Sequence, residues 1–223
     1  YWQYGYNDRD EVASAVKHLP GGQPLAGWQQ GFSYDNIGNR LTATEGGDAT
    51  GQNRRTVTYA TNSLNQYTGI QRPGKFDVLG VAHPDATVTV NGETATRQAA
   101  FWRREVNAET GSGPAWVDLD ARATRTGVGV NGGDVTAKLG GSQFVDPFWL
   151  EPHYDADSNL LSDGRWAYTW DADNKLLGMR THPVAVAAGA PEVRYEFTYD
   201  SGWRRIRTRV WRWDEEALGE DAD

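Results

Sequence analysis

The side chains that could bind a metal ion are carboxylates that follow two short aromatic segments. Asp155-Ala156-Asp157-Ser158-Asn159 places oxygens at the first, third and fifth positions of a calcium loop, and Asp171-Ala172-Asp173 begins in the same way. Leu160, however, stands where the sharp turn of such a loop needs glycine, and Trp166 stands where the bidentate glutamate belongs. The sequence therefore predicts tight turns at Asp155 and Asp171 rather than a metal site.

Other patterns that could support catalysis are incomplete. Gly127-Val128-Gly129-Val130-Asn131-Gly132 has the glycine spacing of a dinucleotide-binding loop, but a strand-like segment follows it where such a site needs a helix. The four histidines lie beside loop residues, and three of them neighbour proline. We therefore predict no catalytic residues, no metal and no cofactor. A glycan-active enzyme is kept as a second alternative.

Alternating arginines near the C-terminal end could hold an anionic ligand. Arg205, Arg207 and Arg209 are predicted to share one face of a strand that Trp211 and Trp213 continue. Such a combination can stack on and clamp a single-stranded nucleic acid, but it equally suits cross-strand ion pairs and cation–π contacts. Because 30 Asp and Glu outnumber 22 Lys and Arg, we favour the structural interpretation and predict no nucleic acid partner.

Exposed aromatic rings could bind sugars, because a flat ring stacks on the apolar face of a pyranose. Many of the ten Trp and ten Tyr recur at period two, as in Trp166, Tyr168 and Trp170, which is typical of the packed face of a strand. Trp102 and Trp116 lie instead on a segment that interrupts the repeat described below, where loops can carry variable function. They are the candidate glycan-binding residues.

The composition predicts the elements that must position these residues. The 223 residues include 26 Gly and 9 Pro but no Cys, 38% are hydrophobic, and the formal net charge is -8. Aromatic and β-branched residues suit pleated surfaces, whereas Gly, Asn and Asp suit tight turns. Without cysteine there are no disulfides and no thiolate metal sites, and no window is apolar enough for a membrane span. An all-β fold is expected.

A recurring motif predicts how the strands are arranged. It consists of two aromatics around one residue, an Asp or Asn turn, and an aliphatic residue seven positions after the second aromatic. Aromatics two apart share one face of a strand, and Asp or Asn can bond its own turn backbone. The predicted turn residues are Asp35, Gly38, Asp155, Asp171, Asp200 and Gly202. The predicted packing residues are Tyr34, Leu41, Tyr154, Leu161, Trp170, Leu177, Tyr199 and Ile206.

The spacing of the motif also predicts the domain organisation. Two looser copies contain Tyr6-Asn7 and Val57-Thr58-Tyr59. Isolated hairpins of this kind bury too little apolar surface to be stable, so they are expected to pair edge to edge in one sheet. The step from Tyr59 to Tyr154 is far longer than the others. Residues 73–147 are therefore predicted to form an inserted module of short strands, flanked by repeat sheet at residues 1–72 and 148–223.

Two segments carry a resemblance to known families. The copies from Phe32-Ser33-Tyr34-Asp35 to Leu41 and from Phe197-Thr198-Tyr199-Asp200 to Ile206 resemble the tyrosine-aspartate (YD) repeats of rearrangement-hotspot (Rhs) proteins. The insert, with Asp85-Ala86-Thr87-Val88-Thr89-Val90-Asn91-Gly92, resembles bacterial immunoglobulin-like modules of the glucodextranase B type. The resemblance implies a curved antiparallel YD-repeat sheet, a β-solenoid or shell segment, interrupted by an immunoglobulin-like β-sandwich.

In the Rhs family such repeats wind into a hollow shell that can enclose a C-terminal toxin. The resemblance therefore implies a non-catalytic wall segment of a large bacterial protein that is secreted or lies at the cell surface. Its partners would be the remaining repeats of a longer parent chain and an enclosed C-terminal cargo, and open sheet edges predict flanking parts that cover them. No self-cleaving core motif follows Trp211-Arg212-Trp213, so cleavage is not expected. The alternative is a carbohydrate-binding or adhesion module for a cell-surface glycan.

Overall fold

The chain folds almost entirely into antiparallel strands, which confirms the all-β prediction. The computed structural model describes residues 1–213. Two compact units are present: the first comprises Tyr1–Tyr59, Arg72–Glu109 and Val117–Gln143, and the second comprises Ala60–Gln71, Thr110–Trp116 and the residues from Phe144 onward. Among the described residues, no helix has the length and apolar character needed to cross a membrane.

A meander forms the first sheet of the first unit. Its strands are β1 (Trp2–Tyr6), β2 (Val12–His18), β3 (Pro24–Tyr34), β4 (Arg40–Gly46) and β5 (Arg54–Thr61). Each strand pairs antiparallel with the next one in the chain. β5 alternates buried Arg55 and Val57 with exposed Thr56 and Thr58, as a strand with one packed face should. The next strand, β6 (Tyr67–Gln71), belongs to the second unit.

The middle of the chain adds two further sheets. Its strands are β7 (Lys75–Val81), β8 (Thr87–Val90), β9 (Glu93–Thr94), β10 (Thr96–Gln98), β11 (Phe101–Asn107), β12 (Ala115–Arg125) and β13 (Val135–Val145). One sheet has the order β10-β11-β7 and the other has the order β13-β12-β8-β9. Val88 and Val90 are each 1% exposed and belong to the core of the first unit. The boundaries at residues 73 and 147 and the immunoglobulin-like assignment stay predictions.

A second meander forms the main sheet of the second unit. Its strands are β15 (His153–Tyr154), β16 (Leu160–Ser162), β17 (Trp166–Trp170), β18 (Leu176–Thr181), β19 (Glu192–Tyr199) and β20 (Arg205–Trp213), and each pairs antiparallel with its neighbour in sequence. β14 (Trp149–Leu150) pairs with β6. A short helix, α1 (Pro183–Ala187), connects β18 to β19. Its buried Ala185 packs with Phe144, Ala190 and the partly buried Trp116.

A β-bulge at the turn end of the repeat hairpins corrects the predicted packing. The second aromatic pairs with the residue six positions later: Tyr34 with Arg40, Tyr154 with Leu160, Trp170 with Leu176 and Tyr199 with Arg205. The residue seven positions later is therefore the extra residue of the bulge and has no partner in the opposite strand. These extra residues are Leu41, Leu161, Leu177 and Ile206, whose exposed fractions are 41%, 38%, 42% and 64%. The prediction that they fill a packed face is wrong.

The second aromatics of these four hairpins, in contrast, are partly buried, and each bonds the backbone of the preceding hairpin. The Tyr34 hydroxyl donates to the Val12 carbonyl at 2.9 Å, the Trp170 indole N–H donates to the Leu160 carbonyl at 2.8 Å, and the Tyr199 hydroxyl donates to the Leu176 carbonyl at 2.9 Å. Tyr154 forms a hydrogen bond with the Tyr67 backbone. In every case the bonded residue lies five positions after the Asp or Asn of the preceding turn. We call these four bonds the aromatic ties.

Removing one aromatic tie should destabilise the sheet by a predictable amount. Tyr199→Phe keeps the ring but removes the hydroxyl and leaves the Leu176 carbonyl without that partner. We expect a loss of about 1 kcal/mol in the free energy of unfolding, measured by urea denaturation. Tyr195→Phe is the matched control on the same strand, because within the described residues the Tyr195 hydroxyl makes no hydrogen bond. Equal losses in the two variants would contradict the role of the tie.

Candidate functional site

The repeat hairpins share one turn geometry, which is the most regular feature of the described residues. The first residue of each turn is Asp or Asn, and its Oδ1 accepts the backbone N–H groups two and four positions later; in the turn at Asp35 these are Ile37 and Asn39 at 3.0 and 2.8 Å. The Asp35 N–H donates to the Asn39 carbonyl. The same bonds occur at Asn7, Asp35, Asp48, Asn62, Asp155, Asp171 and Asp200.

The fourth residue of each turn adopts a left-handed conformation, and its identity varies. The positive φ occurs at Gly38 (92°) and Asn174 (60°), as glycine and asparagine tolerate. In the last turn it occurs at Trp203 (66°) rather than at Gly202. Gly202 instead donates its N–H to Asp200 Oδ1 at 2.9 Å. Gly202 thus lies in the turn but does not supply the left-handed corner.

The turn at Asp48 was not predicted, because it lacks the aromatic pair that marks the other copies. Asp48 joins β4 to β5 and lies directly after Gly46-Gly47. The buried Gln29 donates its side-chain amide to the Asp48 carbonyl at 2.6 Å. An Asp followed by glycine at the fourth position is the sequence signal that could have identified this turn.

Neighbouring turns are also joined to each other through side chains. In the first unit, Arg9 donates to the Asp35 carbonyl. In the second unit, Asn159 donates to Asn174 at 2.7 Å, and the Lys175 ammonium lies 4.1 Å from the centroid of the Trp203 ring. Because a meander alternates its turns between two ends, these contacts run along one end of each sheet. The turns therefore form a row within each unit.

Four turn carboxylates, those of Asp35, Asp48, Asp155 and Asp200, are stabilised in their charged form. The Asn39 side chain and the backbone N–H groups of the turn lower the pKa of Asp35, and the backbone N–H and side chain of Arg204 lower that of Asp200. The strongest effect falls on Asp48, where the Thr50 hydroxyl and N–H groups of the turn lower the pKa to about 2. Hydrogen bonds to an ionised carboxylate favour that form, so these turns are expected to weaken in acid.

A cluster of ion pairs lies within the first unit, where β5 of the first sheet meets β7 and β11. These two strands belong to the segment of residues 73–147, which we call the middle segment. Arg55 is 3.0 Å from Asp77 and 3.0 Å from Glu105. Arg103 lies 2.8 Å from Asp77. The Arg55 and Asp77 side chains are only 8% and 4% exposed. Burial opposes the charge of Arg55, but hydrogen bonds and the charge of Asp77 outweigh it and raise the pKa of Arg55.

Two glycines of the first sheet make room for this contact. A Cβ at Gly46 would lie 2.7 Å from the Asp77 carboxylate and 2.9 Å from the Arg55 guanidinium. A Cβ at Gly27 would lie 2.4 Å from the Leu79 side chain. Both glycines also have a positive φ, at 86° and 81°. The middle segment is thereby held against the first sheet at positions where other residues do not fit.

Trp102 lines a half-open cavity of about 240 Å³ in the first unit, together with Leu25, Ala49 and Phe101. The polar side chains at this cavity are engaged in the fold. Gln98 bonds the backbone of Pro24 and Ala26 at 2.9 Å each, and Arg97 donates to four backbone carbonyls. The cavity therefore offers apolar surface rather than directed hydrogen bonds to a sugar.

Trp116 and the exposed aromatic rings of the first unit lie at positions that differ from those expected for glycan-binding residues. Trp116 belongs to the second unit, where it packs against Phe144 and Ala185 and covers Gly189. The exposed rings of the first unit are on β1 instead: Trp2 is 39% exposed, stacks with Tyr4 at 6.2 Å between ring centroids, and meets Trp28 edge-on at 6.1 Å. Glycan binding by Trp102 and Trp116 stays a prediction.

The remaining candidate patterns are resolved by their local structure. The glycine-rich segment at residues 127–132 contains a 3-10 helix at Val130–Gly132 and leads into β13. Among the described residues, no group of three or more His, Cys, Asp and Glu side chains is arranged to hold a metal ion. The bulge at Tyr199 separates the arginines of β20, because Arg205 lies over the Phe197 ring while Arg207 pairs with Thr198 on the other face. The prediction of one shared face is wrong for Arg205.

Comparisons with known proteins reach only distant structural similarity. No family model and no curated protein matches the chain. It is similar to a chain of a Photorhabdus luminescens Tc holotoxin pore with a mutated TccC3, at 12% identity and a TM-score of 0.32 over 95% of this chain and 10% of that chain. It is also similar to a chain of a TcdB2-TccC3-Cdc42 structure, at 14% identity and a TM-score of 0.31 over 95% of this chain and 11% of the other.

A third similar chain comes from a TcdB2-TccC3-TEV structure, at 13% identity and a TM-score of 0.33 over 96% of this chain and 10% of that chain. This chain thus spans about a tenth of the length of the solved chains that it matches. Similarity at this level assigns neither a function nor a partner to the chain. What the fold and the turns define is an all-β protein built from antiparallel hairpins with a repeated Asp or Asn turn.

The turn at Asp48 predicts an acid-sensitive contribution to stability. A carboxyl group whose pKa is lower in the folded chain stabilises the fold above its ordinary pKa, and this contribution disappears as the pH falls through the folded value. For Asp48 the loss should occur between about pH 4 and about pH 2. We expect Asp48→Asn to lose less stability over that interval than the wild type, measured by thermal unfolding at each pH.

The matched control for Asp48→Asn is Asp157→Asn, which makes the same change of charge. Within the described residues, the Asp157 carboxylate accepts no hydrogen bond, so this variant should follow the pH dependence of the wild type. If Asp48→Asn and Asp157→Asn lose stability in parallel, the hydrogen bonds to Asp48 do not produce the acid sensitivity.

The buried ion pairs predict a large effect of removing Asp77. Asp77→Ala leaves Arg55 and Arg103 close together without the carboxylate between them. Breaking a buried pair by removing one partner should cost about 3 kcal/mol or more in the free energy of unfolding. Asp120→Ala is the control, because the Asp120 pair with Arg122 is exposed and should contribute little. A small effect of Asp77→Ala in urea denaturation would contradict the role of this cluster.

Proposed function

We propose that the chain is a non-catalytic wall segment of a larger bacterial YD-repeat protein, secreted or at the cell surface, whose repeats surround a C-terminal toxin or other cargo. The observation that carries this proposal is the series of aromatic ties. Each tie joins the tip of one hairpin's aromatic to the backbone of the preceding turn. Links of this kind between neighbouring hairpins are suited to extending a sheet unit by unit, as a wall requires.

The tie between Tyr154 and Tyr67 adds support to the proposed domain organisation. These two residues are separated by the whole of the middle segment, yet Tyr154 also bonds the backbone residue five positions after the Asn of the preceding turn. β14 also pairs with β6 across the same interval. The row of hairpins thus continues past residues 73–147 as if this segment had been inserted between two consecutive repeats.

The middle segment fits the same proposal as a module held against the wall. Its β7 and β11 supply the Asp77, Glu105 and Arg103 side chains that meet Arg55 of the first sheet. Many ion pairs at one contact give it a defined orientation, even where their net contribution to stability is modest. A module fixed in this way adds thickness to the wall or presents its loops outward.

The test uses the complete gene product that contains this chain. In the intact protein, a C-terminal cargo inside a shell should resist a soluble protease that cleaves the same cargo expressed alone. The double variant Trp170→Ala and Tyr199→Ala removes two neighbouring aromatic ties and should make the enclosed cargo cleavable, whereas Tyr195→Phe should leave it protected. A cargo that is cleaved equally fast in the intact protein and alone would overturn the proposal.

A carbohydrate-binding module is the second candidate, and the exposed Trp2 and Tyr4 rings on β1 are the observation that favours it. The exposed ring faces that remain outside this stack are apolar surfaces of the kind on which a pyranose ring can pack. A glycan panel distinguishes the two functions: retention of a glycan by the wild type and not by Trp2→Ala, with the cargo unprotected, would favour the second candidate over the wall segment.

A further inference from the structure

The second unit has one sheet face that concentrates arginine. Residues directly opposite each other in neighbouring strands share a face of the sheet. Arg180 of β18 pairs with Arg194 of β19, which pairs with Trp211 of β20. Two residues beyond Arg194 on the same face of β19, Glu196 lies opposite Arg209. Two residues further, Thr198 lies opposite Arg207. We call the surface formed by Arg180, Arg194, Arg207 and Arg209 the arginine face.

The charges of the arginine face are only partly neutralised among the described residues. Arg180, Arg207 and Arg209 are exposed, and none of the three has an ion pair or hydrogen bond from its side chain to any residue between 1 and 213. Only Arg194 is engaged, through an ion pair with Glu196 and a position 5.4 Å from the Trp211 ring centroid. These free guanidinium groups stand out in a chain whose net charge is -8.

The register adds an unfavourable contact that the fold does not need. Arg180 and Arg194 lie directly opposite each other on adjacent strands, and like charges at this position destabilise a sheet. Glu196 offsets part of the charge of Arg194, but Arg180 has no such partner among the described residues, so part of the repulsion remains. An arrangement of this kind is unfavourable for the isolated fold but favourable for binding a negatively charged group.

A shallow depression of about 560 Å³ lies beside this arginine pair. Its lining includes Thr169, Gly178 and Thr198, whose small side chains leave the surface low, together with Arg180 and Arg194. A Cβ at Gly178 would lie 2.8 Å from the Tyr195 carbonyl oxygen, so that a larger residue would require the backbone to shift. The depression is thus built into the sheet, and the charged residues that line it are Arg180, Arg194 and Glu196.

The spacing of the arginines matches an extended peptide better than a nucleic acid. Arg207 and Arg209 are two residues apart on one strand, which is about 6.8 Å, the same repeat as alternate side chains of an extended peptide. Glu192 and Glu196 lie on the same face, opposite Trp213 and Arg209. Two carboxylates among the arginines disfavour a continuous row of phosphates, whereas a peptide can place uncharged residues beside them.

We propose that the arginine face binds an extended acidic segment of another polypeptide, with its carboxylates on Arg180, Arg194, Arg207 and Arg209 and its backbone over the Gly178 depression. Guanidinium groups bind carboxylates through paired hydrogen bonds, which makes arginine well suited to this ligand. This site goes beyond the wall function, because a wall segment needs no charged binding surface. The proposed binding site also does not require that the parent protein enclose a cargo.

The experiment uses the full chain and a blocked ten-residue peptide of alternating glutamate and alanine as the probe. Titration by fluorescence anisotropy should show binding that weakens as salt is added. The matching glutamine–alanine peptide should not bind. Arg180→Gln and Arg209→Gln should each weaken binding of the acidic peptide about tenfold, the scale of a charge-assisted hydrogen bond.

Arg212→Gln is the matched control. Arg212 is exposed on β20, the strand of Arg209, but it pairs with Val193 and lies on the opposite face of the sheet. It makes the same change in charge and should weaken binding less than twofold. Arg180→Gln should also unfold at a temperature no lower than that of Arg212→Gln, because it removes repulsion rather than a stabilising contact. A lower unfolding temperature would indicate a structural role and overturn the proposal.

Three further results would overturn the proposal. The first is no detectable binding of the glutamate–alanine peptide at low salt. The second is equal weakening by Arg212→Gln and Arg180→Gln, which would mean attraction by overall charge rather than by this face. The third is tighter, Arg180-dependent binding of single-stranded oligothymidine than of the peptide, which would make the occupant a nucleic acid. Arg209→Gln provides an independent readout if Arg180→Gln does not fold.

Discussion

The hydrogen bond from an aromatic tip to the preceding turn is the contact on which the repeat architecture depends. A two-stranded hairpin with a bulge at its end buries little surface by itself and is marginal in water. In this chain the tip of Tyr34, Trp170 or Tyr199 reaches the backbone carbonyl five residues after the neighbouring Asp or Asn. The turn residue fixes the position of that carbonyl, so that turn geometry and hairpin pairing support each other.

The bulge explains why the ties can form. Because an extra residue enters the strand after each turn, the second aromatic pairs with the residue six positions later and the seventh is displaced. The displaced residues Leu41 and Ile206 are largely exposed, whereas Tyr34 and Tyr199 stay partly buried. The bulge next to Tyr199 places Arg205 and Arg207 on opposite faces of the sheet. It thereby determines which arginines share a face with Arg180 and Arg194.

Charge has different roles in the two units. In the first unit, Arg55 and Arg103 are neutralised by Asp77 and Glu105 where the middle segment meets the first sheet. In the second unit, exposed arginines of neighbouring strands face each other, and Arg194 has Glu196 as a counter-ion while Arg180 has none among the described residues. Buried charges must be paired in order to be tolerated, while exposed charges remain available to a ligand. The contrast separates a structural use of arginine from a proposed binding use.

The all-β class and most of the turns could be predicted from the sequence, because these depend on residues within five positions of each other. Asp35 and Asp200 bond N–H groups two and four residues away, so spacing alone reveals them. The aromatic ties, the position of Trp116 in a core, and the contact of Arg55 with Asp77 and Glu105, which lie 22 and 50 residues away, could not be predicted. They depend on strand register, because one extra residue in a bulge changes which side chains face each other, and neither composition nor periodicity shows where a bulge occurs.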